Sequence, residues 1–140
     1  MTIAAHTGDG AAALEQLQLL RAEGVAAGAF VWAHAQNEHD GARHARAAEE
    51  GAWVEFDGSA PGTVGRHVER VPGMKRRQLL GRVLRSHDAG WYHVGEPGGG
   101  TFRPDDTLFT EFLPALRQAG FTAAGVEQRT VHNPRGPRGP

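Results

Sequence analysis

Residues 82–92, RVLRSHDAGWY, decide how this chain is read. An apolar run closes on Asp88, and a glycine and two aromatic residues follow at once. Two earlier stretches are built the same way. Residues 2–10, TIAAHTGDG, carry His6, and residues 29–37, AFVWAHAQN, carry His34. Each is a short apolar run ending on a side chain that can hold a metal ion. Parallel strands of α/β folds present their functional groups at their carboxyl ends. Imidazole nitrogen and carboxylate oxygen are the donors expected around Zn²⁺, Mn²⁺ or Co²⁺ at a hydrolytic centre. One strand-end histidine alone is more often a hydrogen-bonded structural residue. Three such groups at one level of three strands make a candidate metal site.

Working outward, strand-like segments at 2–6, 29–34, 52–57 and 82–87 alternate with helical ones. The first helix, 10–23, repeats Ala13, Leu17 and Leu20 beside Leu14, and Gly24 can stop it in the left-handed conformation. Asp40 is placed to cap a second helix ending at Gly51. The third, 63–80, has a Val64, Val68 and Val71 stripe and is expected to break at Pro72-Gly73, because an interior proline costs about 3 kcal/mol. A helix at about 106–118 follows, and Thr122 can cap a short last one. This rhythm predicts an α/β fold with four parallel strands in sequential order and helices packed outside. Residues 1–132 form that domain, and 133–140, rich in proline, glycine and arginine, form a disordered tail.

Alternation then assigns faces. With His34 on the site face, Phe30 and Trp32 share it, while Val31 and Ala33 face the helices. With Asp88 there, Leu84 and Ser86 join it. Arg85 then enters the helix layer, where a charge needs a partner or a route to solvent.

Composition narrows the functional classes. Lys and Arg number 15 against 16 Asp and Glu, so no nucleic-acid or anionic-membrane partner is indicated. Cysteine is absent, which excludes disulfides, thiolate metal sites and thiol nucleophiles. No stretch approaches the roughly 20 apolar residues of a spanning helix, and no secretion signal follows Met1, so the expected setting is cytoplasmic. Ser86-His87-Asp88 is not a triad, because strand neighbours face opposite ways. His39 and His44 are expected in solvent. The loop 90–100 is expected to form a mobile lid, with Trp91, Tyr92 and His93 facing a substrate.

Taken together, TIAAHTGDGAAALEQL, VWAHAQNE, GAWVEFDG and above all SHDAGWYHVGEPGGG resemble the phosphotriesterase-like branch of the amidohydrolase superfamily. The resemblance runs from residue 2 to about residue 134. It implies half of a TIM (β/α)₈ barrel, the four strands here being the barrel's fifth to eighth. It implies a metal-dependent hydrolase of phosphoesters, lactones or other carboxylic esters, with two divalent metals per complete site, zinc foremost. His6 and His34 would hold one metal. Asp88 would hold the other and, as catalytic base, take a proton from the water the two share. Two ions about 3.5–4 Å apart bring that water's pKa toward about 7.

The departures from the family are equally specific. Its His-x-His pair and its bridging carboxylated lysine have no counterpart, and the one lysine, Lys75, lies in a helix. A complete barrel takes roughly 250 residues. The chain is therefore expected to be a fragment, inactive alone, and completed by an N-terminal half-barrel partner. Its interior face, Phe30, Trp32, Trp53 and Leu84, is expected to be exposed and to drive self-association. The alternatives are a non-catalytic half-barrel that binds a metal or small anion, and a decaying gene product.

Overall fold

The computed structural model describes residues 1–138. Four strands, β1 (Ile3–His6), β2 (Phe30–Ala33), β3 (Trp53–Phe56) and β4 (Val83–Arg85), form one parallel sheet in the order β1-β2-β3-β4. Helices α1 (Gly10–Ala22), α2 (Gly41–Glu49) and α3 (Val64–Arg76) make the crossovers, and α4 (Leu113–Gln118) and α5 (Ala123–Glu127) follow β4. The expected α/β class and sequential strand order are both present. Among the described residues no helix is long and apolar enough to cross a membrane.

Local signals explain most boundaries. The Asp40 carboxylate accepts the Ala42 N–H and starts α2, and the Thr122 hydroxyl accepts the Gly125 N–H and starts α5. Gly24, at φ 74°, turns the chain out of α1 in the left-handed conformation. The expected break at Pro72 does not occur. Val71 and Met74 on either side of it are buried, and their packing holds α3 continuous despite the missing N–H. Pro114 is accommodated differently. The turn Leu108–Phe112 before it is a π-turn, and Leu113 N–H reaches back to the Leu108 carbonyl.

Glu38 ties three of these elements together. Its carboxylate accepts the Gly10 N–H at the start of α1, the Asp40 N–H before α2 and an Arg43 N–H, and its carbonyl accepts from Arg70 of α3. The Asp40 bond first, then those of Gly10 and Arg43, hold this carboxyl at about 2 against the opposing effect of burial. Glu38→Ala strands two backbone donors at helix starts and should cost about 3 kcal/mol in urea unfolding at pH 7. Because the folded-state pKa lies below the ordinary value of 4.5, the carboxylate stabilises fully above that pH and loses its effect as pH falls through about 2. The gap between wild type and variant should therefore narrow on acidification.

The two sheet faces are assigned opposite to expectation for β2. Phe30 and Trp32 pack with Ala13, Leu14 and Leu17 of α1 and with Ala47 and Ala48 of α2, so they face the helix layer. Val31, Trp53 and Leu84 form a separate cluster on the other face. The cause is local. His34 has φ 61° and lies outside β2, so counting back from it puts the strand in the wrong phase. For β4 the expectation holds: Leu84 faces inward, and Arg85 enters the helix layer, where it donates to His67 Nδ1 and Ser59 Oγ and lies 4.3 Å over the Phe112 ring. His44, expected in solvent, is buried, with Nε2 against the Ala35 carbonyl and its ring against Phe56.

Phe30, Trp32, Trp53 and Leu84 are all buried, which corrects the expected exposed interior face. The C-terminal segment contributes to this cover. Residues 133–138, assigned to a disordered tail from composition, instead continue as 3-10 turns. Asn133 is buried and donates to the Leu80 and Val83 carbonyls at the amino end of β4. Gly136 lies so close to the Trp53 ring that a Cβ there would overlap it, and the Thr2 hydroxyl donates to the Pro137 carbonyl. Residues 139 and 140 lie outside the described residues. Apart from Met1 and Leu19 of α1, the large apolar groups that are exposed sit after β4, among them Trp91, Tyr92, Val94, Phe102 and Phe109.

Candidate metal centre

His6, His34 and Asp88 lie at the carboxyl end of the sheet, as the strand endings require. His6 is the last residue of β1. His34 immediately follows β2, and Asp88 stands three residues beyond β4. Nδ1 of His6 is 2.9 Å from Nε2 of His34, with the rings nearly perpendicular at 81°. An oxygen of Asp88 and a ring nitrogen of His34 belong, with Asp57, to a group whose donor atoms all lie within 4.8 Å of one another. All three residues named from the sequence are thus brought to one place.

Only three described non-glycine residues have positive φ, and two of them are His34 at 61° and Asp88 at 48°. Such backbone persists where the surroundings hold it. For His34 the holder is Asp57, which sequence reasoning passed over. Its Oδ2 accepts the His34 backbone N–H at 2.7 Å, and its Oδ1 accepts His34 Nδ1–H at 2.8 Å. Gln36 Nε2 also donates to Oδ1, and Gln36 Oε1 accepts the Asp57 N–H. The Asp57 side chain is 4% exposed and both its oxygens are occupied. It therefore orients His34 rather than facing the space between the imidazoles. For Asp88 the holders are Trp91 Nε1 and Arg103, both donating to the Asp88 carbonyl.

The electrostatics follow from three carboxylates around His34. Its pKa is raised, first by the hydrogen bond to Asp57 and then by the charges of Asp57, Asp88 and Glu55, with burial opposing. Glu55, on the inward face of β3, is pushed up, first by burial and then by Asp57 and Asp88, while its bond with Ser86 and the nearby His34 pull it down. Because a carboxylate accepts and cannot donate, the proton of neutral His34 sits on Nδ1. Its Nε2 then presents a lone pair toward His6. Imidazole nitrogens with an anionic surround are a donor set suited to a divalent cation, and the histidine–carboxylate pair is the usual support for such a ligand.

The loop after β4 is folded on itself. Trp91 is 55% exposed and tied to Asp88 through its indole N–H, and Tyr92 is 73% exposed with its ring against Gly99. His93 donates its backbone N–H to the Gly99 carbonyl, and its ring faces Glu96 at 3.8 Å. Of the three residues assigned to substrate, only Trp91 has a hydrogen bond to the site among the described residues. The signal that could have found Asp57 was present, since Phe-Asp-Gly ends the third strand at the level of His34 and Asp88.

Comparison with known proteins gives a consistent placement. The model of the Phosphotriesterase family matches residues 1–136. The Phosphotriesterase homology protein of Escherichia coli (strain K12) is 31% identical over 141 residues, covering 94% of this chain and 46% of that protein. Its crystal structure, with phosphate in the active site, superposes with a TM-score of 0.79 at 29% identity over 95% of this chain and 46% of that one. The phosphotriesterase from Mycobacterium tuberculosis shares the fold at a TM-score of 0.83 and 24% identity, over 96% of this chain and 44% of its own. The chain spans about half the length of the relatives it matches. On the family match and the geometry together, this chain belongs to the phosphotriesterase family.

Proposed function

We propose that this chain contributes the carboxyl-terminal half of a metal-dependent hydrolase site acting on phosphoesters, lactones or other carboxylic esters. The observation that carries the reading is the 2.9 Å approach of His6 Nδ1 to His34 Nε2, with the far side of His34 fixed by buried Asp57. His6 and His34 would hold one divalent ion, zinc foremost, and Asp88 a second. When bound, such ions lower the pKa of water and polarise a P=O or C=O bond.

The chain's own residues divide the remaining work. Asp57 fixes the His34 tautomer and ring direction. The Asp88 carboxylate accepts the proton of the attacking water. Trp91 and Arg103 hold the Asp88 backbone in position, and Trp91, Tyr92 and His93 lie on the loop that would meet the substrate. The phosphate in the active site of the E. coli relative favours a tetrahedral phosphorus or carbon centre as the group acted on. The remaining ligands would come from an N-terminal half-barrel, whose strands would meet the free edges of β1 and β4. Self-association through exposed Trp91, Val94 and Phe102 is the competing mode of contact.

Metal content and turnover of aryl phosphotriesters and lactones test the reading, with and without an N-terminal half from a family relative. The 140 residues alone should bind metal weakly and turn over neither substrate. Adding the half should give metal-dependent turnover that a chelator abolishes. Efficient turnover by the 140 residues alone, or none after the barrel assembles with metal, would overturn it.

A further inference from the structure

Arg129 has no role in the site described above, yet it is the most anomalous charge in the fold. It is 3% exposed, and its Nε, Nη1 and Nη2 have no hydrogen-bond partner among the described residues. A guanidinium carries five N–H donors, and leaving them unmet inside a protein costs several kcal/mol. Its guanidinium lies over the face of Phe121, 4.4 Å from the ring centre. That stacking occupies the plane of the group and leaves its donor-bearing edge unanswered. No carboxylate forms an ion pair with it among the described residues.

A second guanidinium stands in the same region. Arg85 of β4 stacks on Phe112, which shares an apolar cluster with Phe121. The turn Gln128–His132 that carries Arg129 packs against β4. Arg85 Nε is also buried without a hydrogen-bond partner. Burial lowers Arg129 only to about 10, so it stays charged at neutral pH. Two like charges, one of them wholly unpaired, thus share an interior region.

We propose that Arg129, with Arg85 nearby on β4, forms an internal binding site for a small inorganic anion. Planar guanidinium edges suit halide or oxyanion, the latter through paired N–H donors. At 3% exposure Arg129 offers no surface to a second polypeptide, so the ligand is an ion of a few atoms. The proposal does not rest on any hydrolytic activity of the His6–His34 centre.

Thermal unfolding is followed during titration with sodium bromide and, separately, sodium phosphate. Ionic strength is held constant with gluconate, which is too bulky to enter. The wild-type chain should gain about 5 °C in a saturable manner with at least one of the two anions. Arg129→Met should show no saturable gain. In gluconate alone the variant should match or exceed the wild type, because an unpaired buried charge has been removed. Should the variant fail to fold, anomalous scattering from wild-type crystals grown in bromide decides, and a peak within hydrogen-bond reach of Arg129 is expected. An equal rise in both proteins, no rise in the wild type, or bromide found only elsewhere would overturn the proposal.

Discussion

Asp88→Asn in the completed barrel should lower turnover of aryl phosphotriesters and lactones by about 10³-fold or more, in keeping with loss of a positioned base. The amide keeps the side chain's size and can still accept one hydrogen bond, but it cannot take a proton. The backbone that places it is fixed from elsewhere, by Trp91 and Arg103 at the Asp88 carbonyl, so the loop should keep its shape. Circular dichroism and unfolding of the variant should therefore match wild type while turnover collapses. Retained turnover would assign the proton-accepting role to another group and leave Asp88 as a ligand alone.

Asp57→Asn should weaken metal binding about 10–100-fold, the usual loss when the support of a ligating histidine is changed. An amide oxygen can still accept one N–H, but the two oxygens that now receive the His34 backbone, the His34 ring and Gln36 are reduced to one. His34 loses its charged anchor and with it the fixed proton on Nδ1. Its raised pKa, owed first to this hydrogen bond, should fall back toward the ordinary value. Isothermal titration with Zn²⁺ measures the first effect, and histidine NMR titration of the metal-free chain measures the second. A variant that lost the His34 shift and bound metal as before would show that orientation by Asp57 does not matter.

The strands were legible because each is an apolar run bounded by turn chemistry, and the caps Asp40 and Thr122 and the stop at Gly24 act through neighbours one to three residues away. What escaped the sequence depends on contacts far along the chain. Asp57 reaches back 23 residues to His34. The faces of Phe30 and Trp32 were misassigned because alternation was counted from a residue that leaves the strand, in a conformation that the Asp57 contact holds. Pro72 was read through local cost alone, while the packing of Val71 and Met74 outweighs it. Composition likewise marked 133–138 as unable to pack. One asparagine with two carbonyl acceptors and one glycine pressed on an indole suffice to seat it.

The contact between Thr2 and Pro137 has a practical consequence for protein engineering. Both residues lie at the amino end of the strands, at the opposite pole from His6, His34 and Asp88. A linker, affinity tag or covalent splice attached there leaves the rim that carries His6, His34 and Asp88 clear. The same proximity would let a short glycine bridge join position 2 to position 137 in a permuted variant, with new termini opened in a surface loop. Fusing a companion half at this pole would fix stoichiometry at one to one without altering the geometry of the rim.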